Sequence, residues 1–269
     1  MHLLERLSIT LRHSPLLGNA TWLWDRVRPS YNNLISRLGD GGLERNLNGS
    51  DRVLLLPRFR SVTEEYEPEV WSQIMSEVRP GDVVADVGVY IGLYTIALAA
   101  RVGSAGRVYA FEPNPESCKY IKAHLDLNRV AERVELIEAA LGAQDAQIAF
   151  DVTGGITGHV CGTQDDGAEL LPCMRLDTFL GGRGLDVLKI DVEGFEEMVL
   201  RGATELLRDP ARKPRAIFIE VHPYAWPDLG VGSDSLLGLL ASCSYRVTDL
   251  QGMPVSRVER YGEIVAYRE

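Results

Sequence analysis

Two short stretches of this chain concentrate groups that can do chemistry. Asp186-Val-Leu-Lys-Ile-Asp-Val-Glu-Gly194 alternates charged with apolar residues, and Ala216-Ile-Phe-Ile-Glu-Val-His-Pro223 ends an apolar run on Glu220 and His222. In extended chain, successive side chains point to opposite faces, so Lys189, Asp191 and Glu193 share one side and Leu188, Ile190 and Val192 the other. Three charges on one face of a buried strand are costly unless they pair or take part in a reaction. The plain alternative is a structural Lys189–Asp191 pair. The chemical reading is proton transfer: an imidazole titrates near neutrality, and neighbouring carboxylates can orient it or act as bases themselves. Asp191, Glu193, Glu220 and His222 are therefore the candidate catalytic residues.

Such residues need a scaffold, and residues 82–114 provide its first unit. Val83-Val-Ala-Asp-Val87 is short and β-branched, as befits a buried strand. Gly88 and Gly92 follow, then the apolar run Leu93–Ala100, long enough for a packed helix, and a second strand over Arg107–Glu112. Strand, glycine turn, helix, strand makes a βαβ unit with parallel strands. Gly88 permits a sharp turn, and Gly92 lets the helix start close to a ligand. Glu112 lies 20 residues beyond Gly92, where a carboxylate can accept hydrogen bonds from both hydroxyls of a ribose.

The glycine spacing separates the cofactors. A dinucleotide site needs G-x-G-x-x-G so that the helix N-terminus can hold a pyrophosphate. Here the pattern is Asp86-x-Gly88-x-x-x-Gly92, with Tyr90 and Ile91 where phosphates would need small residues. Asp86 would repel a pyrophosphate but suits a cationic or zwitterionic ligand. S-adenosylmethionine, which carries an ammonium and a sulfonium and no phosphate, fits this better than NAD.

The segments DVGVYIGLYT, FEPNPES, DVLKIDVEGFEEMVLRGA and FIEVH, in this order, resemble the FkbM family of S-adenosylmethionine-dependent methyltransferases over about residues 80–225. One departure is Val89-Tyr90, where many relatives have a small residue and Asn. The resemblance implies an α/β class I methyltransferase fold, Rossmann-like, whose seven-stranded, mostly parallel sheet has helices on both faces and strand order 3-2-1-4-5-7-6. It implies O-methylation of a hydroxyl on a sugar or natural product, that is, a small-molecule or glycan acceptor. The expected cofactor contacts are Asp86, Gly88, Tyr90, Gly92, Glu112 and, where the family lines the adenine, Ala140 beside Ala139. A metal-assisted variant would seat Mg²⁺ on Asp191, Glu193 and Glu220; it is an alternative, not the expectation, and the residues contain no recognisable metal-ligand spacing. A non-catalytic binding protein that kept the fold is the rival from another class.

Composition sets further bounds. The chain has 269 residues, 45% hydrophobic and 25% charged, with 28 basic against 38 acidic residues and a net charge of −10. An acidic chain without a Lys/Arg cluster argues against nucleic acid as main partner. Cys118, Cys161, Cys173 and Cys243 show neither CxxC nor paired-His spacing, so reduced thiols are expected. No apolar run is long enough for a transmembrane helix, and Glu5, Arg6 and Arg12 interrupt the N-terminal apolar segment, unlike a signal peptide. A cytoplasmic protein is the expectation.

The remaining elements fall around this unit. Residues 1–79 form an N-terminal, mainly helical extension or cap, and residues 80–269 the methyltransferase domain. Leu3, Leu4, Leu7 and Leu11 recur at helical spacing, Trp22 and Trp24 follow, and a glycine-containing linker spans 38–42. This extension caps the domain or forms a homodimer contact; a membrane-surface helix would need more basic residues. Residues 43–60 suggest a hairpin and 69–78 a helix stopped by Pro80-Gly81, with Trp71, Ile74 and Val78 in the core. His124 is read as structural or surface, and Val134–Leu141 as the third strand. Residues 145–175 read as an inserted hairpin or loop near the acceptor, with His159 facing solvent. Asp177 suits a helix N-cap, and Glu196, Glu197 and Glu205 are expected on a solvated helix face. Strands over 245–250 and 262–268 complete a seven-stranded sheet, the last inserted antiparallel.

Overall fold

The computed structural model describes residues 42–153, 158–160 and 168–269. The expected N-terminal Leu-rich helix, the Trp22–Trp24 pair, most of the 38–42 linker and the middle of the 145–175 insert lie outside these residues. A hairpin comes first: β1 (Leu43–Leu47) pairs antiparallel with β2 (Asp51–Leu55). Helix α1 (Pro68–Glu77) ends just before Pro80-Gly81, as expected. Then come β3 (Val83–Val87), α2 (Leu93–Val102), β4 (Arg107–Phe111), α3 (Pro115–Leu127) and β5 (Val134–Ile137). The rhythm resumes with α4 (Leu176–Leu180), β9 (Val187–Ile190), α5 (Glu196–Arg201), α6 (Thr204–Arg208) and β10 (Ala216–Val221). Short α7 (Trp226–Leu229), α8 (Ser233–Ser242), β11 (Tyr245–Thr248) and β12 (Gly262–Arg268) close the chain.

Among the described residues seven strands form the central sheet, in the order β11-β12-β10-β9-β3-β4-β5. β12 runs antiparallel to both its neighbours, and the pairs from β10 through β9, β3 and β4 to β5 are parallel. This is the expected 3-2-1-4-5-7-6 arrangement. Strand residues alternate between two cores. Val84, Val108, Ala110 and Phe218 pack with Trp71 and Ile74 of α1, with α2 and α3, and with the hairpin. Ala85, Tyr109, Phe111, Leu188, Ile217 and Ile219 pack with α4, α5, α6 and α8. Helices cover both faces, which is why these strands read as nearly unbroken apolar runs. Among the described residues no helix is long and apolar enough to cross a membrane.

The expected third strand divides. β5 stops at Ile137, and β6 (Ala140–Leu141) leaves the main sheet to pair with β8 (Ala168–Met174), itself antiparallel to β7 (Ala146–Asp151). The insert hairpin therefore forms, but as part of a separate three-stranded sheet. Asp177 caps a different helix from the one expected: its carboxylate accepts from Glu205 N and Leu206 N, both at 2.9 Å, at the start of α6. His124 is fully buried, its Nδ1 donating to Ile91 O at 2.8 Å and its Nε2 accepting from Leu56 N at 3.0 Å. It ties the hairpin to the glycine turn. His159 is exposed.

The order of strands reverses direction between β3 and β9, with chain-successive strands lying outward on either side. Ligands of open α/β sheets bind in the crevice outside the carboxyl ends of the strands at such a switch point.

Candidate active site

The turn after β3 is held against the end of β9. Gly88 has φ +83°, and a Cβ placed on it would lie 1.6 Å from the Asp191 carbonyl oxygen, so only glycine fits. Asp191 N donates to Val87 O at 2.9 Å, closing the same contact from the other strand. Tyr90 follows with φ +57°, a left-handed conformation rare for a bulky residue, and the residue is 40% exposed. Its N–H donates to Glu112 Oε2 at 3.0 Å, while Asn114 N donates to Oε1 at 2.9 Å. Burial of the Glu112 carboxyl outweighs these hydrogen bonds and pushes its pKa up to about 7. Tyr66, Asp86, Gly88, Tyr90, Tyr94, Lys189 and Asp191 line a small cleft here. Gly92, with φ +92°, precedes α2. Ala140 is buried in β6; like Gly92 and Glu112 it is not among the residues lining this cleft.

Lys189 and Asp86 form the buried ionic floor. Asp86 is fully buried; its Oδ2 accepts from Thr95 Oγ1 at 2.5 Å, and its Oδ1, without a hydrogen bond among the described residues, lies 3.9 Å from Lys189 Nζ. Lys189 Nζ also lies 3.3 Å from Asp191 Oδ2 and 4.8 Å from the Tyr94 ring centroid. Burial lowers the lysine pKa, but the charges of Asp191, Asp86 and Glu220 more than reverse this, so the ammonium is held charged. The Lys189–Asp191 alternation legible in the sequence is thus a real pair, extended to Asp86.

Beside Asp191 the other predicted groups converge. His222 Nε2 lies 3.5 Å from Glu193 Oε2 and 3.8 Å from Glu220 Oε1. Ligand atoms of Asp191, Glu193 and His222 lie within 4.8 Å of one another. All four candidate catalytic residues therefore meet at one edge. Glu220 lies outside that three-residue set, and its carboxylate accepts from the Tyr261 hydroxyl. The imidazole joins Asp191 and Glu193 in this set, where the sequence alternative had grouped them with Glu220. Burial, then the charge of Asp191, pushes the Glu220 pKa up to about 7.

Sequence reasoning missed the group that holds His222. Glu196 and Glu197, expected on a solvated face, are buried. The Glu196 carboxylate accepts from Gly194 N at 2.8 Å, from His222 Nδ1 at 2.7 Å and from Trp226 Nε1 at 2.8 Å. Glu197 accepts from Arg201 Nε at 2.9 Å and from Ser235 Oγ at 2.5 Å. Their helix α5 starts at the carboxyl edge itself, so its first turn points into the site; Glu205, farther on, is exposed as expected. Burial lowers the His222 pKa, yet hydrogen bonding to Glu196 and the charges of Glu196 and Glu193 raise it overall. Three further groups arrive from distant segments. Glu67, with φ +43°, accepts from Tyr94 OH at 2.7 Å. Glu263 stands directly across the β10–β12 pair from Glu220, and burial and that neighbour raise its pKa to about 8. Tyr224 donates to Glu193 Oε2 at 2.7 Å.

Residues 86–247 match the family model described as the methyltransferase FkbM domain. The chain belongs to the FkbM methyltransferase family. Three relatives place it further. It is 31% identical over 163 residues to the 31-O-demethyl-FK506 methyltransferase FkbM of Streptomyces tacrolimicus, covering 48% of this chain and 62% of that one. It is 24% identical over 159 residues to the hexuronic acid methyltransferase AglP of Haloferax volcanii, covering 58% and 62%. Against the AMB antimetabolite synthetase AmbE of Pseudomonas aeruginosa it is 29% identical over 265 residues, covering 81% of this chain and 12% of the synthetase. The chain thus spans less than two thirds of the length of each of these relatives.

The cleft's donor set fits the cofactor of an FkbM methyltransferase. The orphaned Asp86 Oδ1 and the Cβ-free approach at Gly88 mark a polar cradle, and Glu112 supplies the acid at the end of the second parallel strand.

Proposed function

We propose that this protein is an S-adenosylmethionine-dependent O-methyltransferase acting on a hydroxyl of a sugar or natural product. The observation that carries the reading is the placement of Asp191. It lines the cleft of the glycine turn and also stands within 4.8 Å of Glu193 and His222, so cofactor cleft and base cluster share one wall.

When bound, S-adenosylmethionine supplies a methyl group made electrophilic by its sulfonium sulfur. Asp86, Gly88, Tyr90, Gly92 and Glu112 hold it in this reading, and Lys189 fixes Asp191 at the boundary. A sugar or alkyl hydroxyl is too weak an acid to be ionised beforehand, so a base at hydrogen-bond reach must accept its proton. The Glu220–His222 pair does this, with Glu196 holding the imidazole by Nδ1 so that Nε2 faces the acceptor. Orientation of the two reactants supplies much of the remaining rate. The acceptor class follows the relatives named a hexuronic acid methyltransferase and a 31-O-demethyl-FK506 methyltransferase.

The test is transfer of labelled methyl from S-adenosylmethionine to a panel of sugars and polyketide-type alcohols. A general base of this kind contributes about 10²–10⁴-fold, so His222→Ala and Glu220→Gln should lose turnover on that scale while calorimetry shows the cofactor still bound. Full turnover in both variants would remove the pair from the mechanism.

A further inference from the structure

We infer that Asp191, Glu193 and His222 Nε2 form a binding site for a divalent transition-metal ion. The inference deepens the methyltransferase reading and rests on it for the role of the ion, though not for its binding.

Three features point to a cation. The donor atoms lie within 4.8 Å of one another, and the His222 Nε2 to Glu193 Oε2 separation is 3.5 Å. Ligands held at about 2.0–2.1 Å in near-octahedral geometry stand roughly 3 Å apart when adjacent and about 4 Å apart when opposite, so modest closure completes the set. The imidazole is the second feature. His222 has a side-chain exposure of only 3%, and its Nε2 makes no hydrogen bond among the described residues, being aimed at Glu193 and Glu220 from 3.5 and 3.8 Å. That nitrogen faces two carboxylates with no hydrogen bond of its own among the described residues, as the ligating nitrogen of a metal-binding imidazole does.

The third feature is the outer layer. Metal-binding histidines donate their second ring nitrogen to a carboxylate or carbonyl, and metal-binding carboxylates are themselves held. Each of the three has such a partner. Glu196 accepts from His222 Nδ1 at 2.7 Å, Tyr224 donates to Glu193 Oε2 at 2.7 Å, and Lys189 Nζ lies 3.3 Å from Asp191 Oδ2. Glu196 thereby sets the tautomer that presents the Nε2 lone pair.

Two carboxylates and one imidazole suit Mn²⁺, Co²⁺ or Zn²⁺ better than Mg²⁺, which prefers oxygen ligands alone. Three protein ligands leave coordination positions open toward solvent, where Glu193 has 52% side-chain exposure. An ion there would polarise the acceptor hydroxyl; of the Glu220–His222 pair, Nε2 would then serve as ligand and the Glu220 carboxylate, 3.8 Å from it, as the proton acceptor.

The experiment is a Mn²⁺ titration of the metal-free protein read by the EPR signal of free Mn²⁺, with S-adenosylmethionine binding followed calorimetrically in parallel. Wild type should take up one Mn²⁺ per chain. His222→Ala and the exposed-site variant Glu193→Gln should each bind at least about tenfold more weakly, and Glu196→Gln, a positioning change, about 10–100-fold more weakly. Glu205→Gln, on the exposed face of α6, should titrate like wild type. An undiminished free-ion signal with wild type, or wild-type uptake by both His222→Ala and Glu193→Gln, overturns the site. Uptake of Mn²⁺ without any binding of S-adenosylmethionine would uphold the site and refute the methyltransferase reading instead.

Discussion

Replacing Lys189 with methionine isolates the electrostatic floor of the site. The ammonium lies 3.9 Å from Asp86 Oδ1, and both groups are buried. At an effective dielectric constant near 20, two unit charges about 4 Å apart attract by about 4 kcal/mol, and removing one partner of a buried pair costs about 3–5 kcal/mol. Asp191 can turn to water, being 29% exposed, but Asp86 cannot, and Thr95 satisfies only one of its oxygens. The stranded carboxylate can escape by protonation. That limits the loss to about 1.36 kcal/mol for each pH unit above its reference pKa of 3.8, or about 4 kcal/mol at pH 7. The sign follows from linkage. Asp86 already has a raised pKa through burial, opposed by Lys189 and Thr95, and loss of Lys189 raises it further. The folded variant then binds a proton that the unfolded chain does not, so its stability falls as pH rises above 3.8 toward the new folded pKa. Urea unfolding of Lys189→Met should therefore show a deficit that is small near pH 4 and reaches about 3–4 kcal/mol at pH 7, and Asp86→Asn added to it should recover most of the loss. A deficit under about 1 kcal/mol at pH 7, or one that does not change with pH, would refute the reasoning, since surface-like pairs behave that way.

Other outcomes follow from single contacts. Because the Glu112 pKa is pushed to about 7 by burial, affinity for S-adenosylmethionine should weaken as pH falls through 7, by up to about tenfold per unit; calorimetry checks this, and Glu112→Gln should flatten the dependence. His124 is neutral, accepting from Leu56 N and donating to Ile91 O, and burial lowers its pKa below 6.5. The unfolded chain then takes up the proton first, so the His124 contribution is intact above pH 6.5 and is lost on acidification; His124→Gln should remove that acid sensitivity and cost about 1–3 kcal/mol in urea unfolding. Tyr90 holds φ +57° and is 40% exposed. Left-handed backbone costs an ordinary residue about 1–2 kcal/mol and asparagine less, so Tyr90→Asn should raise the unfolding midpoint, and a lowered midpoint would show that the ring contributes packing.

The parallel core, the glycine turn and the four residues at its carboxyl edge were legible without coordinates, because each is encoded locally. Runs such as Val83–Val87 and Ala216–Val221 are apolar on both faces, and a charged residue that ends such a run must stand at the sheet edge. Asp191, Glu193, Glu220 and His222 follow from that rule alone. Contacts between segments far apart in sequence have no such signature. Glu196 looks like any acid in a first helical turn, and only the packing of α5 against β10 sets it under His222 and Trp226, 26 and 30 residues away. Glu263 and Tyr261 come opposite Glu220 only because β12 inserts antiparallel beside β10. β6 leaves the main sheet for a partner, β8, whose pairing no local pattern announces. Local periodicity determined which elements of the main sheet form; which buried carboxylate meets which base was decided by three-dimensional packing, since a side chain's partners depend on distances that sequence spacing does not carry.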